Sequence, residues 1–566
     1  MILDAALWAL GRLPDRALAS GARGLFRRSW TRFEHATHHP REAQIERMRI
    51  LASRASDTVF GKEHGFSELA DLAAWQSRIP IRGWEDVEPY IARMLAGEKG
   101  VLIPDEPFFY ARSSGTTGIP KSIPVTPVYL AEYRTPRRVW ARQVMQAFPG
   151  LVRGKILGVH SPRVDGRTAS GVPYGSITVA MSGSPQLETH KPSAFSLDPS
   201  PRALFLAEDF EAKYYFALRM AAQSDVRLAA AVNPSTLVLL AKKLDEHAEA
   251  IADDLENPRG IMLDRLSPEV RAAIEPRLRA NKAAAERIRA ARRSSGHVRP
   301  RDLWPSMVGC VCWKGGSAPF YLAQLAKLYP ELPVMDYGFL ATEGGFSIPL
   351  SPQGASGVAA VTGHLLEFVP EDEADSMRGK AVPAMLADEL EPGRRYRVII
   401  SGSHGLYRYD INDVIECTGR YNNTAEIAFV HKGGNMLSIT GEKVGERHVV
   451  DAFSQAAAVT GIPLLGFAVS VELLEPPRYL FAVETRDPLS SEDQQRVLAA
   501  AEAGLRDANL EYAAKRDSLR LGPPRLVVLK PGAFERYRAA RVRAGAAESH
   551  VKPPHVMRDP AALLAL

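Results

Sequence analysis

Apolar residues recur along this chain at two spacings, and the change from one to the other divides it. From about 35 to 100 they return every three or four residues. "REAQIERMRILASRA" (41–55) carries them on one helical face, and "DLAAWQSRIPIRGWEDVEPYIARMLAG" (71–97) does so between proline and glycine breaks. Short apolar runs then follow at "KILGVH" (155–160), "SITVAM" (176–181), "MVGCVCW" (307–313), "LPVMDYG" (332–338) and "YRVIIS" (396–401). Each reads as a strand. Between them lie helical stretches such as "TPVYLAEYRTPRRVWARQVMQAF" (126–148) and "PFYLAQLAKLYPEL" (319–332), and the alternation predicts an α/β domain of mixed sheets and helices.

Residues 238–294 are rich in Ala, Arg, Lys and Glu and predict long helices with charged outer faces. After Lys443 the order is helix (443–459), strands "LLGFAVSVEL" and "RYLFAVET", helix (490–515), strand "RLVVLK" and a last helix at 532–545, a small α+β unit. The glycine pair in "HKGGNMLSITGEK" (431–443) suits a hinge, because glycine absorbs large backbone rotations without a Cβ clash. The expected division is therefore 1–432 for a large N-terminal domain and 433–566 for a small mobile C-terminal one.

The first 30 residues have helical apolar spacing, but Asp4, Gly11 and Arg12 interrupt it too early for a membrane span or a signal segment. An amphipathic helix packed on its own domain is expected, with peripheral membrane contact through Leu7, Trp8 and Leu10 as the alternative. With 71 Lys and Arg against 65 Asp and Glu, the net charge of +6 is small for 566 residues, and acidic residues interleave the basic helices. That argues against a nucleic-acid footprint. Three cysteines (Cys310, Cys312, Cys417) cannot build a disulfide framework or a zinc site, so a reducing cytoplasm is expected.

The chemistry concentrates in "FFYARSSGTTGIPKSIPVT" (108–126), an aromatic strand run followed by small hydroxyl residues and a lysine. Pro120 stands where a Walker A loop needs its second glycine, which removes the P-loop reading. What remains is an anion cradle: Ser113, Ser114, Thr116 and Thr117 offer hydroxyls, Gly115 and Gly118 let backbone N–H groups approach a polyanion, and Lys121 adds charge. Thr126 and Pro127 then supply an N-cap and a first-turn proline for the next helix.

"SSGTTGIPK" resembles the phosphate loop of adenylate-forming enzymes, the superfamily of acyl-CoA synthetases, luciferases and the GH3 acyl-acid amido synthetases. "DYGFLATEGG" (336–345) resembles their second motif, which implies that Thr342 contacts nucleotide and Glu343 ligates Mg²⁺. "GLYRYDINDVIE" (405–416) resembles the third, whose aspartate accepts from both ribose hydroxyls; Asp413 takes that role. The chain lacks the C-terminal Gly-Lys pair of acyl-CoA synthetases. It closes instead on "FERYRAARVRAGAAESHVKPPHV", similar to GH3 proteins of bacterial type, with Lys552 matching their closing lysine. Further GH3-like stretches are 171–183, 230–244, 364–370, 422–435 and 437–446. Two departures stand out: "DIND" replaces the usual Gly-Asp, so Asn412 must make the turn, and Lys432 replaces a frequent arginine near the hinge, keeping charge but not bidentate geometry.

The resemblance implies a two-step reaction with ATP and Mg²⁺. A carboxylic acid becomes an acyl-adenylate, and an amine, expected to be an amino acid, takes the acyl group as an amide. Lys121 and Lys552 would be catalytic, with Lys552 delivered by the C-terminal domain to the α-phosphate. Tyr174, Val179 and Ser235 are the expected acyl-pocket residues, while His160 and His404, without a visible partner carboxylate, are expected to be structural. The rival readings are an acyl-CoA ligase and a non-catalytic nucleotide or acyl-binding module. A monomer is expected, acting on small molecules, with no nucleic-acid partner and no integral membrane segment.

Overall fold

The structure, a computed structural model, describes residues 14–113, 121–159, 164–181, 199–315, 318–433, 436–534, 536–537 and 555–565. Two compact units are present: Ser122–His431 join the residues up to Ser113, and the second unit runs from Lys432 onward and includes Lys121.

The larger unit holds three main sheets. One is parallel, in the order Lys155–Gly158, Val226–Ala230, Gly309–Cys312, Val334–Asp336. Its strands include three of the short apolar runs, and the unbroken apolar character of Gly309–Cys312 reflects burial on both faces. A six-stranded sheet runs Ser347–Ile348, Gly357–Ala359, Thr424–Lys432, Tyr409–Tyr421, Arg395–Ser401, Leu365–Pro370. A third has the order Lys121–Val125, Phe109–Ser113, Pro173–Gly175, Val164–Arg167. The largest core cluster joins the six-stranded sheet to the helices of residues 40–95 and to the start of the helix Pro127–Ala147, through Phe60, Trp75, Tyr129, Phe368 and Tyr409 among others.

Three expectations are corrected. "SITVAM" is not a strand: pairing ends at Gly175, and Ile177–Met181 is helical. Ser176 starts that helix, its Oγ accepting the Thr178 N–H at 3.3 Å and its carbonyl the Val179 N–H at 3.0 Å, and local capping overrides the β-branched composition. Residues 238–294 are not long helices but a series: Pro234–Glu246, Ala248–Glu256, Pro268–Ile274 and Lys282–Ser295. Asp254 fastens the break after the second, accepting the Arg259 and Gly260 N–H groups at 2.7 and 2.8 Å while pairing with buried Arg219 at 3.0 Å. The charged outer faces are as expected, Arg293 and Glu286 pairing in solvent, while Arg289 pairs with Asp253 and Glu256 and Arg292 with Asp245. The helix expected over 490–515 divides at Asn509, whose side chain caps Leu510–Asp517.

The smaller unit is a three-stranded sheet, Leu464–Glu472 antiparallel to Arg478–Thr485 and Arg525–Leu529 parallel to the latter, with helices Glu446–Thr460 and Ser491–Ala508. Before it, the buried carboxylate of Glu442 accepts from the Ile439 and Thr440 N–H groups, the Thr440 hydroxyl and Tyr479. Most of the helix expected over 532–545 lies outside the described residues. The N-terminal stretch is helical over Asp15–Gly24 and Arg27–His38, and among the described residues no helix is long and apolar enough to cross a membrane. All three cysteines are buried free thiols.

Candidate active site

Thr342 and Glu343 form the two-residue tip of a tight hairpin, Leu340–Ala341 pairing antiparallel with Gly344–Gly345. Gly344 is a steric requirement: a Cβ there would lie 2.7 Å from the His364 ring and 2.9 Å from Ile400. The tip stands on the helix Pro127–Ala147, started as expected by Thr126, whose Oγ1 accepts the Tyr129 N–H at 3.1 Å. From one face of that helix, at spacing i, i+4, i+8, project Tyr129, Tyr133 and Arg137. Tyr129 Oη donates to the Thr342 carbonyl at 2.6 Å, and Tyr133 Oη to the Ala341 carbonyl at 3.2 Å.

The Glu343 side chain is 7% exposed, and no described residue hydrogen-bonds or ion-pairs with its carboxylate. Its charge is felt all round. Burial pushes the phenols of Tyr129 and Tyr409 well above their ordinary value, with Glu343 next for Tyr409 and Tyr133 and then Glu343 for Tyr129, and burial carries Tyr133 to about 12 against the opposing charge of Arg137. A nearly buried carboxylate without a cationic partner, beside neutral phenols, has the donor chemistry that a hard divalent cation takes.

Asp413 also acts electrostatically on the Tyr409 phenol. In the ladder between Arg395–Ser401 and Tyr409–Tyr421, Arg397 faces Val414 and Ile399 faces Asp410, so Ile411, Asn412 and Asp413 bulge against the single residue Val398. Asn412 sits in the left-handed region at φ 60°, the conformation glycine would supply, and its N–H is held by Asp410 Oδ1 at 2.7 Å. Asp410 is anchored in turn by Arg397 at 3.0 Å. The bulge re-aims Asp413, and Glu343, Asp410 and Asp413 all act on the Tyr409 phenol.

Arg137 adds a group that the sequence reading did not select. Its guanidinium lies 4.2 Å from the Trp140 ring centroid and 4.9 Å from that of Tyr337, and these two rings stack at 5.0 Å. Nη1 is buried with no hydrogen-bond partner among the described residues. Burial lowers its pKa, opposed by the Tyr337 and Tyr133 phenols. An arginine packed beside two stacked aromatic rings with one N–H pair unspent is suited to a planar anion. The signal for it was the i, i+4, i+8 face itself, directly after a capped helix start.

His404 is structural in its contacts, as expected, though not idle. Leu406 N–H donates to Nδ1 at 3.0 Å, so Nε2 carries the proton and meets the Glu343 carbonyl at 3.0 Å. Burial drives its pKa down to about 3, which keeps the ring neutral. Glu132, also missed, accepts from Arg47 at 2.6 Å, His364 Nδ1 at 2.9 Å and the Ser403 N–H at 3.0 Å.

The other candidates are placed as follows. Lys121 opens its strand and is buried. Lys432 ends the strand Thr424–Lys432, its carbonyl accepting from Arg558 at 3.3 Å. Val179 is a wholly buried member of the main core cluster, and Tyr174, partly buried, packs against it under the Arg112 guanidinium at 3.6 Å. Ser235 is buried at the start of a helix, its hydroxyl and N–H both directed to Asn233 Oδ1. Ser113 ends its strand, while Ser114, Gly115, Thr116, Thr117, Gly118, His160 and Lys552 lie outside the described residues.

The chain matches the GH3 family N-terminal domain over residues 29–334, the central domain over 357–432 and the C-terminal domain over 447–561. It is 23% identical over 544 residues to indole-3-acetic acid-amido synthetase GH3.3 of Arabidopsis thaliana, covering 92% of this chain and 90% of that protein. It is also 23% identical over 537 residues to jasmonoyl-L-amino acid synthetase JAR4 of Nicotiana attenuata, covering 92% of each. Among solved structures, GH3.15 acyl acid amido synthetase shares the fold, with a TM-score of 0.63 at 22% identity over 95% of both chains. The chain belongs to the GH3 family.

Proposed function

We propose that the protein joins a carboxylic acid to an amine, taken to be an amino acid, through an acyl-adenylate made from ATP. The observation that carries this reading is the hairpin tip. Glu343 is a nearly buried carboxylate with no cationic partner among the described residues, acting with Asp413 on one phenol, in a family whose relatives are named as amido synthetases.

Each residue then has a task. Arg137 receives the acid's carboxylate through its unspent N–H group, and Asp413 accepts from the ribose hydroxyls. The acid's oxygen bonds to the α-phosphorus as the bond to pyrophosphate breaks. Residues 113–118 and Lys121 carry the charge of the departing pyrophosphate, with Lys432 adding to it, and Lys552 carries that growing on the α-phosphate. When bound, Mg²⁺ neutralises the phosphate oxygens, and Glu343, with Thr342 beside the nucleotide, is the residue that would hold it. The amine nitrogen next bonds to the acyl carbon, AMP leaves with the bonding electron pair, and the amine proton passes to solvent. Tyr174, Val179 and Ser235 would shape the acyl end. Residues 1–432 act in this reading as the ATP- and acyl-binding domain and 433–566 as its lid, in a monomer in the cytoplasm, where three free thiols stay reduced.

Glu343→Gln tests the reading. It should lower acid-dependent pyrophosphate release on the order of 100-fold, as when a preorganised charge is removed. Near-normal release would take Glu343 out of the site.

A further inference from the structure

Two-residue hairpin tips normally use left-handed residues, because only such turns match the twist of the flanking strands. The Thr342–Glu343 tip does not: neither residue has a positive φ, and neither is Gly or Asn. Something other than turn preference must hold it. Three consecutive carbonyls, those of Ala341, Thr342 and Glu343, each accept from a buried side chain: Tyr133 Oη at 3.2 Å, Tyr129 Oη at 2.6 Å and His404 Nε2 at 3.0 Å.

We propose that Tyr129, Tyr133 and His404 are positioning residues that clamp the carbonyl spine of this tip and so fix the Glu343 carboxylate for the metal–nucleotide complex. The clamp rests on the reading of Glu343 as the Mg²⁺ ligand. Its donors are themselves fixed. Tyr129 and Tyr133 stand one turn apart on a single helix. The Leu406 N–H leaves His404 only one tautomer able to donate. Glu132, from the same helix as the tyrosines, holds the Ser403 N–H beside it at 3.0 Å. The Tyr129 and His404 rings are in contact, 4.9 Å between centroids, so the donors form one packed group. None of the three needs to touch the metal. A partner that orients a ligand is typically worth about 10- to 100-fold in metal affinity.

The test compares Tyr129→Phe, Tyr133→Phe, His404→Phe and His404→Gln, each first checked for an unchanged circular dichroism spectrum. Titration calorimetry with the Mg²⁺ complex of a non-hydrolysable ATP analogue, and separately with AMP, gives a readout independent of turnover. Tyr129→Phe and His404→Phe should weaken the Mg²⁺–nucleotide complex about tenfold or more while AMP affinity moves less than about twofold. Tyr133→Phe, which loses the longest of the three bonds, should do so less. His404→Gln keeps an N–H donor and should recover most of the loss. An unchanged Mg²⁺–nucleotide affinity in Tyr129→Phe and His404→Phe, an equal fall in AMP affinity, or His404→Gln no better than His404→Phe would overturn the clamp. If Glu343→Gln matches the unsubstituted protein in the same titration, the metal reading falls, and the clamp's role falls with it.

Discussion

Glu132→Gln puts a magnitude on the network beneath the site. The carboxylate is buried, which by itself would raise its pKa. The charge and hydrogen bond of His364, the charge of Arg47 and the Ser403 N–H outweigh that and hold it at about 2 against 4.5 for a solvated glutamate. The folded pKa is depressed, so the stabilisation is complete above about pH 4.5 and is lost as pH falls toward 2. Each tenfold of proton affinity is worth about 1.4 kcal/mol, so the charge contributes about 3 kcal/mol at pH 7 and about 2 kcal/mol at pH 3.5. Urea unfolding of both proteins at the two pH values, followed by tryptophan fluorescence, measures the gap. The expected result is a variant less stable by about 3 kcal/mol at pH 7, with the gap narrowing by about 1 kcal/mol at pH 3.5. A gap under about 1 kcal/mol at pH 7, or one that widens with acid, would refute the linkage and with it the role of Glu132 as a charged anchor.

Asp413→Ala should weaken ATP binding by about 2–4 kcal/mol in calorimetry, since two charge-assisted hydrogen bonds are lost together; unchanged affinity would remove Asp413 from the ribose. Asn412→Gly should keep ATP affinity and stability, whereas Asn412→Ala should cost about 1–2 kcal/mol in denaturant unfolding because alanine resists positive φ. Equal stability of the two would mean that the bulge does not need its left-handed residue. Lys552→Ala should slow adenylate formation strongly in single-turnover assays and spare amide formation from supplied acyl-adenylate; equal loss in both steps would contradict a role confined to the phosphate.

The motif residues were legible in the sequence because they carry chemistry in short, ordered stretches. "ATEGG" and "YDIND" were singled out by their resemblance to short motifs, which is where the proposed roles of Glu343 and Asp413 come from, and the left-handed Asn412 follows from asparagine's tolerance of that conformation. The clamp was not legible, since its hydroxyl donors lie 213 and 208 residues away from the carbonyls they hold. His404 looked isolated in sequence because its partners are backbone groups, one of them 61 residues away, and Glu132 comes near it only through folding. "SITVAM" failed for a local reason: β-branched residues read as a strand until the Ser176 turn is seen to end the pairing. The arginine-rich segment failed because periodicity does not register how Asp254 and the prolines divide one helical pattern into several.

Acid-dependent pyrophosphate release tests the central claim most directly. The purified protein is given ATP and Mg²⁺ with a panel of carboxylic acids, and then an amino acid mixture or coenzyme A, with mass analysis of the products. The account predicts pyrophosphate and AMP released only when a suitable acid is present, and an amide as the final product. Cleavage of ATP to ADP, nucleotide turnover indifferent to any acid, or a coenzyme A thioester in place of the amide would contradict it.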